Sequence, residues 1–296
     1  MRILLTGKNG QLGWELHRLL EQGFEVIAIG RDDVDFRNPD ELHDMLRRLP
    51  SFSIIVNTAA YTKVDQAEKE QHEAELVNIE APAVLACEAD RRGIPMIHFS
   101  TDYVFDGKKW TKPYTEKDKP NPLSIYGKSK LGGELRVRDL CEKHLIFRVS
   151  GLYGTRRRNF LTTMLNYAKA SERPLVVDDQ IVSPNWTPLI AEVIEHVIYR
   201  IFSSFPVHWG VYHLTGNGAA TWYEFAKLTL EKASSISNKQ IIQPVSVSSE
   251  EFHTTAKRPA YSVMNSDKFR NEFGYSLPDW KTQLLHCINT IGKDEL

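Results

Sequence analysis

Cysteine is scarce in this sequence. The 296 residues hold 3, Cys87, Cys141 and Cys287, an odd set with no CxxC spacing. A disulfide framework is not expected from them, and a reducing, cytoplasmic setting is the simpler reading. No cysteine has a His, Cys or Asp cluster beside it, and the 10 histidines include no H-E-x-x-H spacing, so no catalytic metal is expected. Excess charge of either sign is missing too. Against 37 Lys and Arg stand 38 Asp and Glu, a formal net charge of −1. No global basic field exists to hold nucleic acid or an anionic membrane, and an anionic ligand must be met by local groups. No apolar run approaches the length of a membrane span. Met1-Arg2-Ile3-Leu4-Leu5-Thr6-Gly7 enters an apolar run at once, which leaves no room for a signal peptide. Internal repeats, low-complexity tracts and long linkers are also lacking.

What is present is an ordinary globular composition, 42% apolar and 25% charged, enough for a full core. Residues 2–6 are a short apolar run ending at Gly7, the pattern of a buried parallel strand. Residues 11–21 place Leu12, Leu16, Leu19 and Leu20 on one helical face. Strands are expected again at 24–29, 52–56, 94–99 and 145–149, with helices at 39–48, 72–91 and 124–142 between them. Such alternation with short links defines an α/β fold, a Rossmann-type doubly wound parallel sheet. After about Ser150 the alternation weakens. Helices are expected at 159–169, 188–202 and 222–233, and short strands at 175–177 and 211–214. The expected organisation is a dinucleotide-binding domain over 1–150, with elements returning to it from about 175–215, and a smaller, mainly substrate-binding region over 151–296.

Gly7-Lys8-Asn9-Gly10-Gln11-Leu12-Gly13 follows the first strand and opens the first helix. Gly7, Gly10 and Gly13 permit a tight turn and a close backbone approach, and the helix N-terminus favours a pyrophosphate. The second strand ends Ile29-Gly30-Arg31-Asp32. A guanidinium there suits a 2′-phosphate better than a free hydroxyl, so Arg31 favours NADPH, with NADH left open. Asp35 and Phe36, shortly beyond, are counted as further cofactor contacts.

Tyr126-Gly127-Lys128-Ser129-Lys130 sets Tyr126 and Lys130 four apart on one helical face. A nearby ammonium is expected to lower the phenol's pKa from about 10 toward a useful range, for protonating a ketone oxygen while hydride reaches its carbon. Ser100-Thr101-Asp102-Tyr103-Val104-Phe105-Asp106-Gly107 follows the fourth strand, at the carboxyl edge where doubly wound sheets bind ligands. Thr101 can hydrogen-bond the reacting oxygen from there.

These three motifs together resemble the extended short-chain dehydrogenases, and more closely the dTDP-4-dehydrorhamnose reductases. The likeness extends through Val56-Asn57-Thr58-Ala59-Ala60-Tyr61-Thr62-Lys63-Val64-Asp65, Lys143-His144-Leu145-Ile146-Phe147-Arg148, Asp179-Gln180-Ile181-Val182-Ser183-Pro184 and Arg258-Pro259. It implies Tyr126 as general acid, with Lys130 tuning it and holding the nicotinamide ribose. Thr101 would bind the C4 oxygen, Gly10, Gln11 and Leu12 would face the pyrophosphate, and Ala60, Tyr61 and Thr62 would line the cofactor. Asp102 and Tyr103 would touch the sugar of a nucleotide-sugar substrate. One position departs from the family: where its members carry S-W-V-Y, this chain has Ser150-Gly151-Leu152-Tyr153. With Gly151 in the place of an aromatic wall the sugar pocket is reshaped, which leaves the sugar's identity open.

Arg156-Arg157-Arg158 and Arg258 are candidates for the substrate diphosphate, against the alternative of solvated basic loops. Trp186, Trp209 and Trp222 are expected to pack in the core. Glu15 is a weak candidate for Mg²⁺ at a contact in a homodimer. Two other readings stay open: reduction of a different 4-keto nucleotide sugar, and a non-catalytic NADP-binding subunit like the β subunit of methionine adenosyltransferase, which resembles the same family.

Overall fold

A computed structural model describes residues 1–237 and 242–292. The strands of the first half are β1 (Arg2–Thr6), β2 (Glu25–Ile29), β3 (Ile54–Asn57), β4 (Met96–Thr101) and β5 (His144–Val149), followed by the short β6 (Leu152–Tyr153). The helices among them are α1 (Gln11–Leu20), α2 (Pro39–Arg48), α3 (Val64–Ala67), α4 (Gln71–Glu75), α5 (Ala81–Arg92) and α6 (Ile125–Leu140). In the second half come β7 (Leu175–Val177), β8 (Ile181–Val182), β9 (Asn185–Trp186), β10 (Gly210–His213), β11 (Ala220–Thr221) and β12 (Val245–Val247). They alternate with α7 (Phe160–Ala170), α8 (Thr187–Ile201), α9 (Trp222–Ser237), α10 (Ser249–Phe252), α11 (Asp267–Phe273) and α12 (Trp280–Asn289).

The main sheet runs β10-β5-β4-β3-β1-β2, with every pairing parallel. β3 and β4 are buried at every position, as strands covered on both faces must be. One face is closed by α1, α8 and α11: Leu12 and Leu16 meet Ile190, Val193, Ile194 and Val197, with Tyr212, Phe269 and Phe273 beside them. The other face is closed by α2, α5 and α6 through Leu42, Leu46, Leu85, Ala86, Ala89 and Val137. Pro39 at the first turn of α2 and the Asn38 side chain accepting from the Glu41 N–H fix that helix start.

Two expectations are refined. The helix expected over 72–91 is present as one continuous helical run, in which α4 passes through a π-helical turn (Leu76–Glu80) into α5. Pro82 has no N–H and its ring would crowd the carbonyl four residues back, that of Asn78. The Ala81 N–H donates instead to Leu76 O, which opens the turn to the π form. The second concerns the returning elements: Gly210–His213 joins the sheet beside β5, whereas Leu175–Val177 pairs with β12 outside it. β7 is anchored in the second half because Val176 packs under Met164 of α7 and Ala226 and Leu230 of α9.

Candidate active site

The phosphate loop is shaped by backbone. Gly7 has a φ of +81°, and a Cβ on it would stand 2.6 Å from the Ala59 nitrogen. The Gly7 N–H donates to Ile29 O at 2.8 Å and the Gly10 N–H to Gly7 O at 2.8 Å, which folds the loop back on the sheet. A Cβ on Gly13 would lie 2.1 Å from Gly7 O, so α1 begins in direct contact with the turn. No side chain caps α1 at Gly10, and its first-turn N–H groups are offered to a ligand, as a pyrophosphate requires.

At the end of β2, Arg31 is exposed. The neighbouring acids are held by the loop itself: Lys8 Nζ pairs with Asp33 at 2.7 Å and Asn9 Nδ2 donates to Asp32 at 2.6 Å. Asp35 is paired with Arg37 at 2.8 Å, and Phe36 is buried at 7% exposure among the apolar side chains of α2 and β2. The 60–62 loop is held by Asn78, whose Oδ1 accepts from the Tyr61 N–H and whose Nδ2 donates to Tyr61 O and to Ser129 Oγ on α6. The Tyr61 hydroxyl donates to Glu70.

α6 carries the Tyr126 and Lys130 side chains. Ser124 caps it by accepting from the Gly127 N–H at 3.1 Å, and Glu68 accepts from the Ile125 N–H at 2.8 Å. A Cβ at Gly127 would sit 2.3 Å from Tyr103 O, so only glycine lets the helix lie this close to the 101–103 turn. Tyr126 is thereby set against the 101–103 turn. The Thr101 hydroxyl lies near the Tyr126 phenol and donates to Asp102 Oδ1 at 3.1 Å, and the Tyr103 ring meets Tyr126 edge-on at 5.7 Å. Lys130, 3% exposed, donates to Phe99 O at 2.6 Å.

The electrostatics correct one expectation. Burial pushes the Tyr126 phenol above its ordinary value, assisted by Asp102 and Tyr103, and the nearby Thr101 hydroxyl only partly opposes it. It is not lowered, because desolvation outweighs every other influence on it. A raised value keeps the phenol protonated, as a proton donor needs. Burial also brings Lys130 down to about 8, with Glu134 holding it up. Asp102 is only 2% exposed, and its carboxylate accepts from Ser150 and Ser262 as well as Thr101; burial raises it.

The remaining candidates fall around this centre. Gly151 has a φ of +53°, with Pro184 Cα 3.1 Å from the position of a Cβ, so the local backbone itself calls for glycine. Arg258 pairs with Asp65 at 2.6 Å and lies near Tyr103, which sets the cofactor loop close to the 101–103 turn. Arg156 lies over the Trp14 ring at 3.9 Å, and Asn159 Nδ2 donates to Gln11 Oε1 at 2.9 Å, which places the arginine loop beside the phosphate loop. Trp186, Trp209 and Trp222 pack against apolar clusters. Glu15 is buried, raised by that burial, and next to Arg18 at 3.4 Å. No group of three or more His, Cys, Asp or Glu among the described residues could hold a metal ion, which removes the support for Mg²⁺. A cavity of about 270 Å³ past β10, lined by Thr215, Asn217, Tyr261 and Asn265, is separate from Tyr126 and Lys130. No helix among the described residues is long and apolar enough to cross a membrane.

Asn78 and Asn185 escaped the sequence reading. Asn185, 0% exposed, donates to Ser150 O and Ser183 O and accepts from the Gly216 N–H. Buried asparagines satisfied by backbone from distant segments leave no local signature.

The family model of the RmlD substrate binding domain matches residues 1–292. The dTDP-4-dehydrorhamnose reductase of Escherichia coli (strain K12) is 38% identical over 98% of each chain. The spore coat polysaccharide biosynthesis protein SpsK of Bacillus subtilis (strain 168) is 39% identical over 96% of this chain and 95% of its own. The crystal structure of dTDP-4-dehydrorhamnose reductase from Bacillus anthracis in complex with NADP superimposes with a TM-score of 0.88 at 34% identity, covering 98% of this chain and 99% of that one. Sheet, phosphate loop and relatives together define the class, an NAD(P)H-dependent reductase on a Rossmann-type fold. Within that class the chain belongs to the dTDP-4-dehydrorhamnose reductase family.

Proposed function

We propose that this chain reduces the C4 ketone of dTDP-4-dehydro-L-rhamnose to dTDP-L-rhamnose, with NADPH preferred over NADH. The observation that carries the reading is Tyr126 lying against the 101–103 turn, with Lys130 one helical turn on and anchored to Phe99 O of β4, on a sheet whose first strand ends in an uncapped glycine loop. The glycines and the open first turn of α1 fit a dinucleotide, and Gly10, Gln11 and Leu12 would hold its pyrophosphate. Ala60, Tyr61 and Thr62 would line it, and Arg31, exposed at the end of β2, would meet a 2′-phosphate. When bound, the nicotinamide supplies the hydride. The protein's part is to place the ketone oxygen against the Thr101 hydroxyl and to hand it the Tyr126 proton, while the buried Lys130 charge steadies the phenolate left behind.

Arg258 and Tyr103 would border the sugar and its diphosphate. Gly151 supports a second reading, another 4-keto nucleotide sugar, because no side chain projects there to define the pocket wall. The test follows nicotinamide absorbance with enzymatically generated dTDP-4-dehydro-L-rhamnose, using NADPH and then NADH. Turnover is expected to fall about 10²-fold or more in Tyr126→Phe, the scale of general acid catalysis. Native protein that binds NADPH but leaves this sugar unreduced would shift the reading to another keto sugar.

A further inference from the structure

We infer that Glu134 is a positioning residue for the reaction: pinned by Arg148, its carboxylate keeps the buried Lys130 in its charged form. This rests on the reading of Lys130 as the partner of Tyr126. Lys130 is 3% exposed and donates to a neutral carbonyl, that of Phe99. A buried ammonium facing only dipoles tends to give up its proton. Glu134 stands four residues on, on the same face of α6, and is 0% exposed. Its two oxygens accept from Arg148 Nε at 2.9 Å and Nη2 at 2.7 Å, a forked pair that fixes the carboxylate.

The surroundings make Glu134 hard to replace. From β4 comes His98, from β5 Arg148 and from β10 His213, and burial holds both histidines neutral, with Lys130 and Arg148 adding to the effect. Asp102 and Tyr103 face α6 from the 101–103 turn, with the Asp102 carboxylate occupied by three hydroxyls. Glu68, just past α3, is spent on the Ile125 N–H, and the π-helical turn presents the uncharged Asn78. Glu134 is the carboxylate that acts on Lys130 and raises it against burial. Among the described residues that carboxylate is ion-paired to Arg148 alone, and Arg148 Nη1 has no hydrogen-bond partner.

The test compares Glu134→Gln, Arg148→Met and the double variant by two pH titrations, kcat/KM for the keto sugar and NADPH affinity from nicotinamide fluorescence. Lys130 lies below its ordinary value, so its charge is present at low pH and lost as pH rises through about 8. Glu134→Gln is expected to move that basic limb down by about one pH unit. Arg148→Met, which leaves the carboxylate beside Lys130, is expected to keep the limb in place or move it up. Removing one partner of a buried pair strands a charge, whereas removing both is often neutral for stability. The double variant therefore reports even if a single one fails to fold, and its limb is also expected to fall. Limbs that coincide with the native one in Glu134→Gln and the double variant, whatever the loss in kcat, would reduce the pair to a structural tie. Failure of the Tyr126 reading is distinguishable, since Tyr126→Phe would then turn over normally while the NADPH titration still reported on Lys130.

Discussion

His98 and His213 are both 0% exposed, and burial holds both below the ordinary imidazole value, His213 at about 3. A histidine depressed in the folded state contributes stability above its unfolded pKa, near 6.5, and that contribution is lost as pH falls toward the folded value. For His213 alone the loss is on the order of a few kcal/mol across that window. The melting temperature is expected to drop steadily below about pH 6.5, and His213→Gln, which takes up no proton, to flatten the drop. An unchanged slope in the variant would place the acid sensitivity elsewhere. At this scale the sequence spoke clearly only where chemistry is local. Tyr126 and Lys130 are four apart, and Thr101 follows a strand end, so each carried a local mark, while their association rested on the order of the motifs and the family resemblance. Ser262, which donates to Asp102 across 160 positions, and Asn78, which joins Tyr61 to Ser129, gave no sign. The direction of the Tyr126 shift was also misread, because burial is a property of the assembled site.

Among the elements, α6 and the π-helical turn behave as one device. A Cβ on Gly133 would stand 2.1 Å from Asn78 O, so α6 rests on the turn that Pro82 opens. Gly133→Ala is expected to destabilise the fold by about 1–3 kcal/mol, the usual cost of overpacking, although alanine favours a free helix. A urea titration checks this; a midpoint at or above the native one would mean that α6 and the turn can separate freely. The boundaries of α1 and α2 were readable to within a residue from leucine spacing and from Pro39. The π-helical turn at residues 76–80 was not, since the apolar pattern continues through it and only the proline marked it. Asn159 makes a comparable link, donating to Gln11 across 148 positions and fastening the start of α7 to the phosphate loop.

In the whole molecule the two halves share one core. α8, β10 and α11, all beyond residue 150, close the sheet face that α1 begins. Residues 1–150 alone would leave that face open to water, an apolar area too large for a soluble unit. That fragment is expected to show no cooperative unfolding transition, while the full chain unfolds in one. A sharp transition in the fragment would establish an independent cofactor domain. The sheet was legible because strand and helix alternate in the first half. Its completion by β10 was only partly so, since β7 and β10 look alike in sequence and packing on α7 and α9 decides between them.

The most direct test of the reductase reading uses NADPH deuterated at the transferable C4 position, with dTDP-4-dehydro-L-rhamnose and the native chain. Mass spectrometry and proton NMR are expected to find one deuterium at C4 of the product sugar, with Tyr126→Phe giving the same label at a rate lower by about 10²-fold or more. Product without the label, or equal rates in native and variant, would contradict hydride transfer with Tyr126 as the proton donor.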